Sequence, residues 1–288
     1  MNHPPTHVKV LEGDAAFPRI ARRAGQGTTP VSFGEIPIGG RGFAVIAGPC
    51  SVESPAQIDT AARAVAQRGA DILRGGAFKP RTSPYSFQGL GLEGLTMMRA
   101  AADAHGLPLV TEVMTPELVE AMAPQVDAFQ VGARNMHNTA LLHALGRTER
   151  PVLLKRGFGS TLTEWLLAAE HIASAGNERI VLCERGIRAF GTETRFTLDL
   201  AGALWAQDQS HLPVIVDPSH AIGRPALIPR AAAAVLAAGL DGLMVEVHPT
   251  PEDALSDGAQ ALTLDHFEAM MRDLKTLEAR RPLIAWGG

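Results

Sequence analysis

Cys50, His220, Glu246 and Asp257 are the four side chains of this chain whose types together suggest metal chemistry. A thiolate, an imidazole and two carboxylates form a mixed soft and hard donor set. Such a set suits a divalent transition metal such as Mn, Fe, Co or Zn better than calcium or magnesium. No short CxxC or HExxH spacing joins the four, so only a fold that gathers distant segments makes one site of them. His220 taken singly reads equally well as a general base or as a core histidine with its hydrogen bonds met.

A second set is basic: Arg74, Lys79, Arg81, Arg134, Lys155 and Arg185. Arginine grips phosphate and carboxylate through a planar fork, and lysine does so as a point charge. Each alone reads as half of a surface salt bridge. On one rim they would create a concentrated positive field in a chain whose formal net charge is -4, and that field calls for a substrate, or two, carrying several negative charges.

The elements that must position these residues follow from periodicity. Short β-branched or apolar runs at 44–47, 71–74, 107–113, 128–132, 151–155, 180–183, 213–216 and 242–247 alternate with longer stretches of helical period. Helices are expected at 55–67, 161–175, 224–238 and 263–277, the first with Ser54 as N-cap, Pro55 at its first position and Gly69 as its stop. Eight strand and helix units predict an α/β fold, a single (β/α)8 TIM barrel. AGPCSVES after the first strand is not the glycine loop that an open doubly wound sheet would show there.

In such a barrel the chemistry sits at the C-terminal ends of the strands. Those ends carry Cys50, then Arg74 and Lys79, Glu112, Arg134, Lys155 with Arg156, Glu184 with Arg185, Asp217 with His220, and Glu246 with His248. Residues 1–30, broken by Pro and Gly, are expected to form a flexible arm, and 31–288 the catalytic barrel. Within the latter, 31–38 alternates around Gly34 as a small hairpin plugging one end.

Bulk properties exclude several classes. The acidic balance argues against a general nucleic-acid binder. Neither a run of about 20 apolar residues nor a signal-peptide core is present, so no membrane association is expected. Two cysteines are too few for a disulfide scaffold and fit a reducing, cytoplasmic setting.

At AGPCSVES, LRGGAFKPRTSPYSFQG, GARN, LLKRGFG, CERGIRAF, VDPSHAIGR and MVEVHPTPEDALSD the chain resembles the type I-beta 3-deoxy-D-arabino-heptulosonate 7-phosphate (DAHP) synthases, from about Phe43 to Leu274. The resemblance implies a metal-dependent TIM barrel, usually a homotetramer. Its reaction would be the first of the shikimate pathway to the aromatic amino acids, joining phosphoenolpyruvate, erythrose 4-phosphate and water to give the seven-carbon phosphate and inorganic phosphate. By motif it implies that Cys50, His220, Glu246 and Asp257 hold the metal. Arg74, Lys79, Arg134, Lys155 and Arg185, with Glu112, would hold phosphoenolpyruvate. Arg81 and Thr82 would grip the phosphate of erythrose 4-phosphate, and Lys79 would act as general acid.

Two other readings are carried forward. A 3-deoxy-D-manno-octulosonate 8-phosphate synthase shares this barrel but has KANRSS where this chain has KPRTS, and its metal-free version has asparagine in place of Cys50. A catalytically silent paralogue, kept for complex formation with an enzyme such as chorismate mutase, would be expected to have lost a ligand. The stretch before Phe43 is expected to be too short for a fused ferredoxin-like or chorismate mutase domain, which places feedback control in question.

Overall fold

Alternating apolar strands and amphipathic helices close on themselves in the computed structural model, which describes residues 16–40, 42–79, 83 and 85–280. A hairpin of β1 (Val31–Phe33) and β2 (Ile36–Ile38) comes first. There follow β3 (Ala44–Gly48), α1 (Pro55–Gln67), β4 (Ile72–Gly75), α2 (Gly91–Ala104), β5 (Leu109–Glu112), α3 (Pro116–Met122), β6 (Ala128–Val131) and α4 (Thr139–Gly146). The chain continues with β7 (Val152–Lys155), α5 (Leu162–Ser174), β8 (Ile180–Glu184), α6 (Leu200–Gln209), β9 (Val214–Val216), α7 (Pro218–Ile222), α8 (Ile228–Ala237), β10 (Gly242–Glu246) and α9 (Leu264–Arg280). Strands β3 to β10 form a closed barrel in which each is parallel to its sequence neighbour and β10 returns to β3. This is the expected TIM barrel. Among the described residues, no helix is long and apolar enough to cross a membrane.

The period of two along each strand decides what fills the barrel. Ala44, Ile46, Ile72, Val110, Ala128, Leu153, Val181, Cys183, Ile215 and Met244 form one apolar cluster, and the hairpin adds Val31, Phe33 and Ile38 to it. The hairpin therefore closes the N-terminal end, with Gly34 at its turn in the left-handed conformation (φ 55°). Two residues beyond the apolar layer, the corresponding positions become Arg74, Glu112, Gln130, Lys155, Asp217 and Glu246. Gly48 is the matching position of β3, and a Cβ there would lie 2.0 Å from the Arg74 carbonyl oxygen, so β3 and β4 need glycine to approach this closely.

Local signals set the helix boundaries. Ser54 accepts from the Gln57 amide at 3.1 Å to cap α1, and Thr161 forms a full capping box with Glu164 on α5. The helix expected over 224–238 begins only at Ile228, after a 3-10 turn at Pro225–Leu227. Pro229 has no N–H to donate and fits only in a first turn, and Arg224 before Pro225 is held extended.

The arm expected over 1–30 is corrected in part. Residues 16–30 are docked: Phe17, Ile20 and Ala21 are buried, and the Ile20 carbonyl accepts from the His211 amide (3.1 Å) and the Ser210 hydroxyl (2.7 Å). The Arg22 amide donates to Gln209 O at 2.9 Å and Thr29 N to His211 O at 2.8 Å. Pro and Gly rule out a regular element there, but two large apolar side chains suffice to dock an irregular one. Residues 1–15 lie outside the described residues.

Candidate active site

Closing the barrel brings the polar ends of its strands around a cavity of about 330 Å³, lined among others by Arg74, Lys79, Glu112, Arg134, Lys155, Arg185, His220 and Asp257. Glu246, at the end of β10, is fully buried. Its Oε1 accepts from Arg74 NH1 at 2.7 Å, and its Oε2 accepts from Gln260 Nε2 at 2.5 Å. Cys50 lies just past β3, its Sγ 3.0 Å from Lys79 Nζ and 3.6 Å from Asp257 Oδ2. One donor atom from each of Cys50, Glu246 and Asp257 lies within 4.8 Å of the others. Ligands of one cation, each roughly 2.0–2.3 Å from it, sit about this far apart or closer.

His220, the fourth expected ligand, stands at the edge of that group, its Nε2 3.2 Å from Glu246 Oε1. Asp217 fixes the ring: Oδ2 accepts from Nδ1 at 2.7 Å, and Oδ1 accepts from the His220 amide at 2.9 Å. Burial pushes the His220 pKa down, against the pull of Asp217 and Glu246. A neutral ring that donates from Nδ1 presents its Nε2 lone pair to a carboxylate. Two acceptors facing each other across 3.2 Å fit a cation bound between them, and the second-sphere carboxylate on Nδ1 is the usual orienting partner of a metal-ligating histidine. The donor set therefore fits a divalent metal.

Electrostatics in the cavity are closely balanced. Burial raises the Cys50 pKa to about 11, with Glu246 adding to the rise and Lys79 and Arg74 opposing it, so without a cation Cys50 is a thiol at neutral pH. Burial also works against the Glu246 carboxylate, but His220, Arg74 and Lys79 hold its pKa below the ordinary value. Burial would lower the Lys79 ammonium, yet Cys50 and Glu246 leave its pKa raised and the group charged. Asp217 is held well below the usual carboxylate range despite burial, because His220 hydrogen-bonds to it and the Lys155 ammonium, 2.5 Å from Oδ2, neutralises it.

The basic rim carries unused donors. Arg185 NH1 and Arg74 Nε are buried with no hydrogen-bond partner. Burial lowers the Arg185 pKa, and its guanidinium rests 4.4 Å above the Phe196 ring. Both residues line the cavity, and buried N–H groups left without a partner favour an anion beside them. Arg134 is exposed on the turn after β6, and Glu112 accepts from Gln130 Nε2 at 3.1 Å. Arg81 and Thr82 lie outside the described residues.

Arg156 and Glu184 are at strand ends but do not line the cavity; they pair with each other and with Asp199 behind it. Conversely, the cavity contains Gln130, Phe158, Arg195 and Phe196, which were not singled out in the sequence. Gln130 was accessible from the period of two, as the inward position after Ala128. Arg195 was not: it sits on an irregular loop and reaches Asp257 Oδ2 at 3.5 Å only through tertiary closure.

Comparison with known proteins agrees with this geometry. Residues 26–280 match the DAHP synthetase I family. A phospho-2-dehydro-3-deoxyheptonate aldolase of Thermotoga maritima is 46% identical over 270 residues, covering 94% of this chain and 79% of the relative. Its crystal structure superposes with a TM-score of 0.87, covering 91% of this chain and 76% of that one. A truncated form of 3-deoxy-D-arabino-heptulosonate 7-phosphate synthase from the same organism gives a TM-score of 0.85 at 42% identity, covering 92% of this chain and 97% of that one. A 2-dehydro-3-deoxyphosphooctonate aldolase of Geobacter sulfurreducens is more distant, 32% identical with 88% of this chain and 98% of the relative covered. A match that spans the whole barrel and both relatives at above 40% identity places the strand-end cavity in a known context: the chain belongs to the DAHP synthetase I family.

Proposed function

We propose that this chain is a 3-deoxy-D-arabino-heptulosonate 7-phosphate synthase that condenses phosphoenolpyruvate with erythrose 4-phosphate and water and releases phosphate. The observation that carries the reading is that Arg74 and Arg185, each with an unpartnered buried guanidinium donor, line the same cavity as Asp257, which belongs to the Cys50, Glu246 and Asp257 donor group. Arg74, Lys79, Arg134, Lys155 and Arg185 hold the carboxylate and phosphate of phosphoenolpyruvate, with Glu112 completing its pocket. Arg81 and Thr82 take the phosphate of the aldose.

Cys50, His220, Glu246 and Asp257 would hold a divalent cation, whether Mn, Fe, Co or Zn, and when bound it supplies Lewis acidity that polarises the aldehyde. The rim fixes phosphoenolpyruvate with C3 toward that carbon, replacing a chance encounter by a positioned one. As the carbon–carbon bond forms, the Lys79 ammonium, kept protonated by its anionic neighbours, gives a proton to the aldehyde oxygen. Water adds at C2, the bond from C2 to the phosphate oxygen breaks, and Lys155 and Arg185 offset the charge that the departing phosphate acquires.

The four-carbon aldose is favoured over arabinose 5-phosphate by KPRTS and by the greater identity to the heptulosonate relative. Measured side by side, kcat/KM for erythrose 4-phosphate should exceed that for arabinose 5-phosphate by about 100-fold or more. A preference for the five-carbon sugar would replace this reading with the octulosonate one. No phosphate release from either sugar in the presence of Mn would point to the silent paralogue. A homotetramer, a cytoplasmic setting and chorismate mutase as a docking partner complete the proposal.

Truncating Arg134 to alanine removes one charge-assisted contact and spares the core, since the side chain is exposed. The KM for phosphoenolpyruvate should rise by about 10- to 100-fold, the equivalent of roughly 1.5–3 kcal/mol. The KM for erythrose 4-phosphate should barely move. An unchanged KM for phosphoenolpyruvate would remove Arg134 from the pocket.

A further inference from the structure

Cys50 and Asp257, Sγ and Oδ2 3.6 Å apart, stand on loops at opposite ends of the sequence, the first without regular structure and the second with only short 3-10 turns at Pro251–Asp253 and Gly258–Gln260. Asp257 is moreover the one non-glycine residue among those described with a left-handed backbone (φ 50°, ψ 26°). That conformation costs an L residue roughly 1–2 kcal/mol, so its surroundings must enforce it.

A cluster outside the cavity ties the two loops together. Ser51, next to Cys50, and Ser256, next to Asp257, are both buried, with their hydroxyl oxygens 2.6 Å apart. Glu53 Oε1 accepts from the Ser51 hydroxyl at 3.3 Å and from the Leu255 amide at 2.9 Å, so one carboxylate ties the loop after β3 to the loop after β10. Glu53 Oε2 faces His248 Nε2 at 3.5 Å. The Thr250 amide donates to His248 Nδ1 at 3.1 Å, so the ring hydrogen belongs on Nε2, which is buried beside Glu53 without a hydrogen bond of its own. Gln57 reinforces the first loop, donating from Nε2 to Ser51 O at 3.2 Å and accepting from Glu53 N at 3.3 Å. None of Ser51, Glu53, His248 and Ser256 lines the cavity.

We infer that Glu53, through Ser51, Ser256 and His248, is a positioning residue that sets the separation of Cys50 from Asp257 and thereby the affinity of the site for a divalent cation. The inference rests on the metal reading proposed above. Groups that orient metal ligands without touching the ion typically account for 10- to 100-fold in affinity.

The test is titration of chelator-stripped full-length protein with Co2+, following the thiolate-to-cobalt absorption band that reports ligation by Cys50. Glu53→Gln keeps the side-chain volume but loses the charge, and Ser256→Ala removes only the bridging hydroxyl. For Glu53→Gln the Kd for Co2+ should rise by about 10- to 100-fold, with a smaller rise for Ser256→Ala. Melting of the metal-free protein should shift little, and excess Co2+ should restore turnover. A merely structural role would lower the melting temperature and leave the Kd where it is in the unaltered protein. Co2+ binding by both variants at the unaltered Kd would overturn the inference and leave the metal reading standing. Absence of the thiolate band in the unaltered protein would overturn both, and Cys50→Ala provides the blank.

Discussion

Replacing Cys50 by alanine is expected to lower metal-dependent turnover by about 10³-fold or more, because several kcal/mol of Lewis-acid stabilisation is lost with the ligand. The barrel should survive the change. The sulfur lies past the end of β3, where it meets Lys79 and Asp257, outside the apolar cluster inside the strands. Removing it also takes away a group whose ionisation burial opposes, since its pKa stands at about 11 without a cation. The stability change should therefore stay within about 1–2 kcal/mol, ordinary for a small truncation. Phosphate release with both substrates and Mn, read beside circular dichroism and a thermal melt, checks both halves. A folded variant with full activity would remove the thiolate from the chemistry.

Replacing Arg156 by methionine should instead strike the fold. Arg156 and Glu184 are buried, and NH1 reaches Glu184 Oε2 at 3.2 Å and Asp199 Oδ2 at 2.7 Å. Nε and NH2 also donate to the Ser160 carbonyl, at 3.3 and 3.1 Å. Without the guanidinium, Glu184 keeps backbone donors at Gly186 and Asp199 but loses its cation. Stranding one charge of a buried pair costs about 3–5 kcal/mol. In a chain of this size that lowers Tm by on the order of 10 °C.

The sign of the pH dependence follows from the same group. Burial already raises the Glu184 pKa, with Arg156 pulling the other way, so the variant raises it further. An acid whose folded pKa lies above its unfolded value of about 4.3 imposes its full penalty above the folded value, and that penalty shrinks as pH falls below it and is gone below the unfolded value. The deficit in denaturant midpoint should accordingly be smaller at pH 5 than at pH 8. A deficit that grows toward acid would show that the stranded carboxylate is not its source.

Much of this architecture was legible from residues alone, because strand and helix periods are properties of the local backbone. Wherever an apolar inward residue is followed two positions later by a charged or amide one, as in Ile72 then Arg74, Leu153 then Lys155 or Met244 then Glu246, the order along the strand states which end of the barrel does chemistry. Ser54 and Gly34 marked their cap and turn positions for equally local reasons.

What tertiary structure decided was partnership. Arg156 and Arg185 stand at the ends of adjacent strands and look alike in sequence, yet one is consumed by Glu184 and Asp199 while the other lines the cavity and keeps a buried N–H unpaired. Residues 16–30 read as an arm but dock through Phe17 and Ile20. Asp257 and Arg195 lie on loops whose reach no period encodes: the first is placed by barrel closure and hydrogen bonds from a segment some 200 residues away, the second by its pairing with Asp257. Local geometry repeats along a chain and can be read from it, whereas distances between its remote parts exist only once the whole barrel has closed.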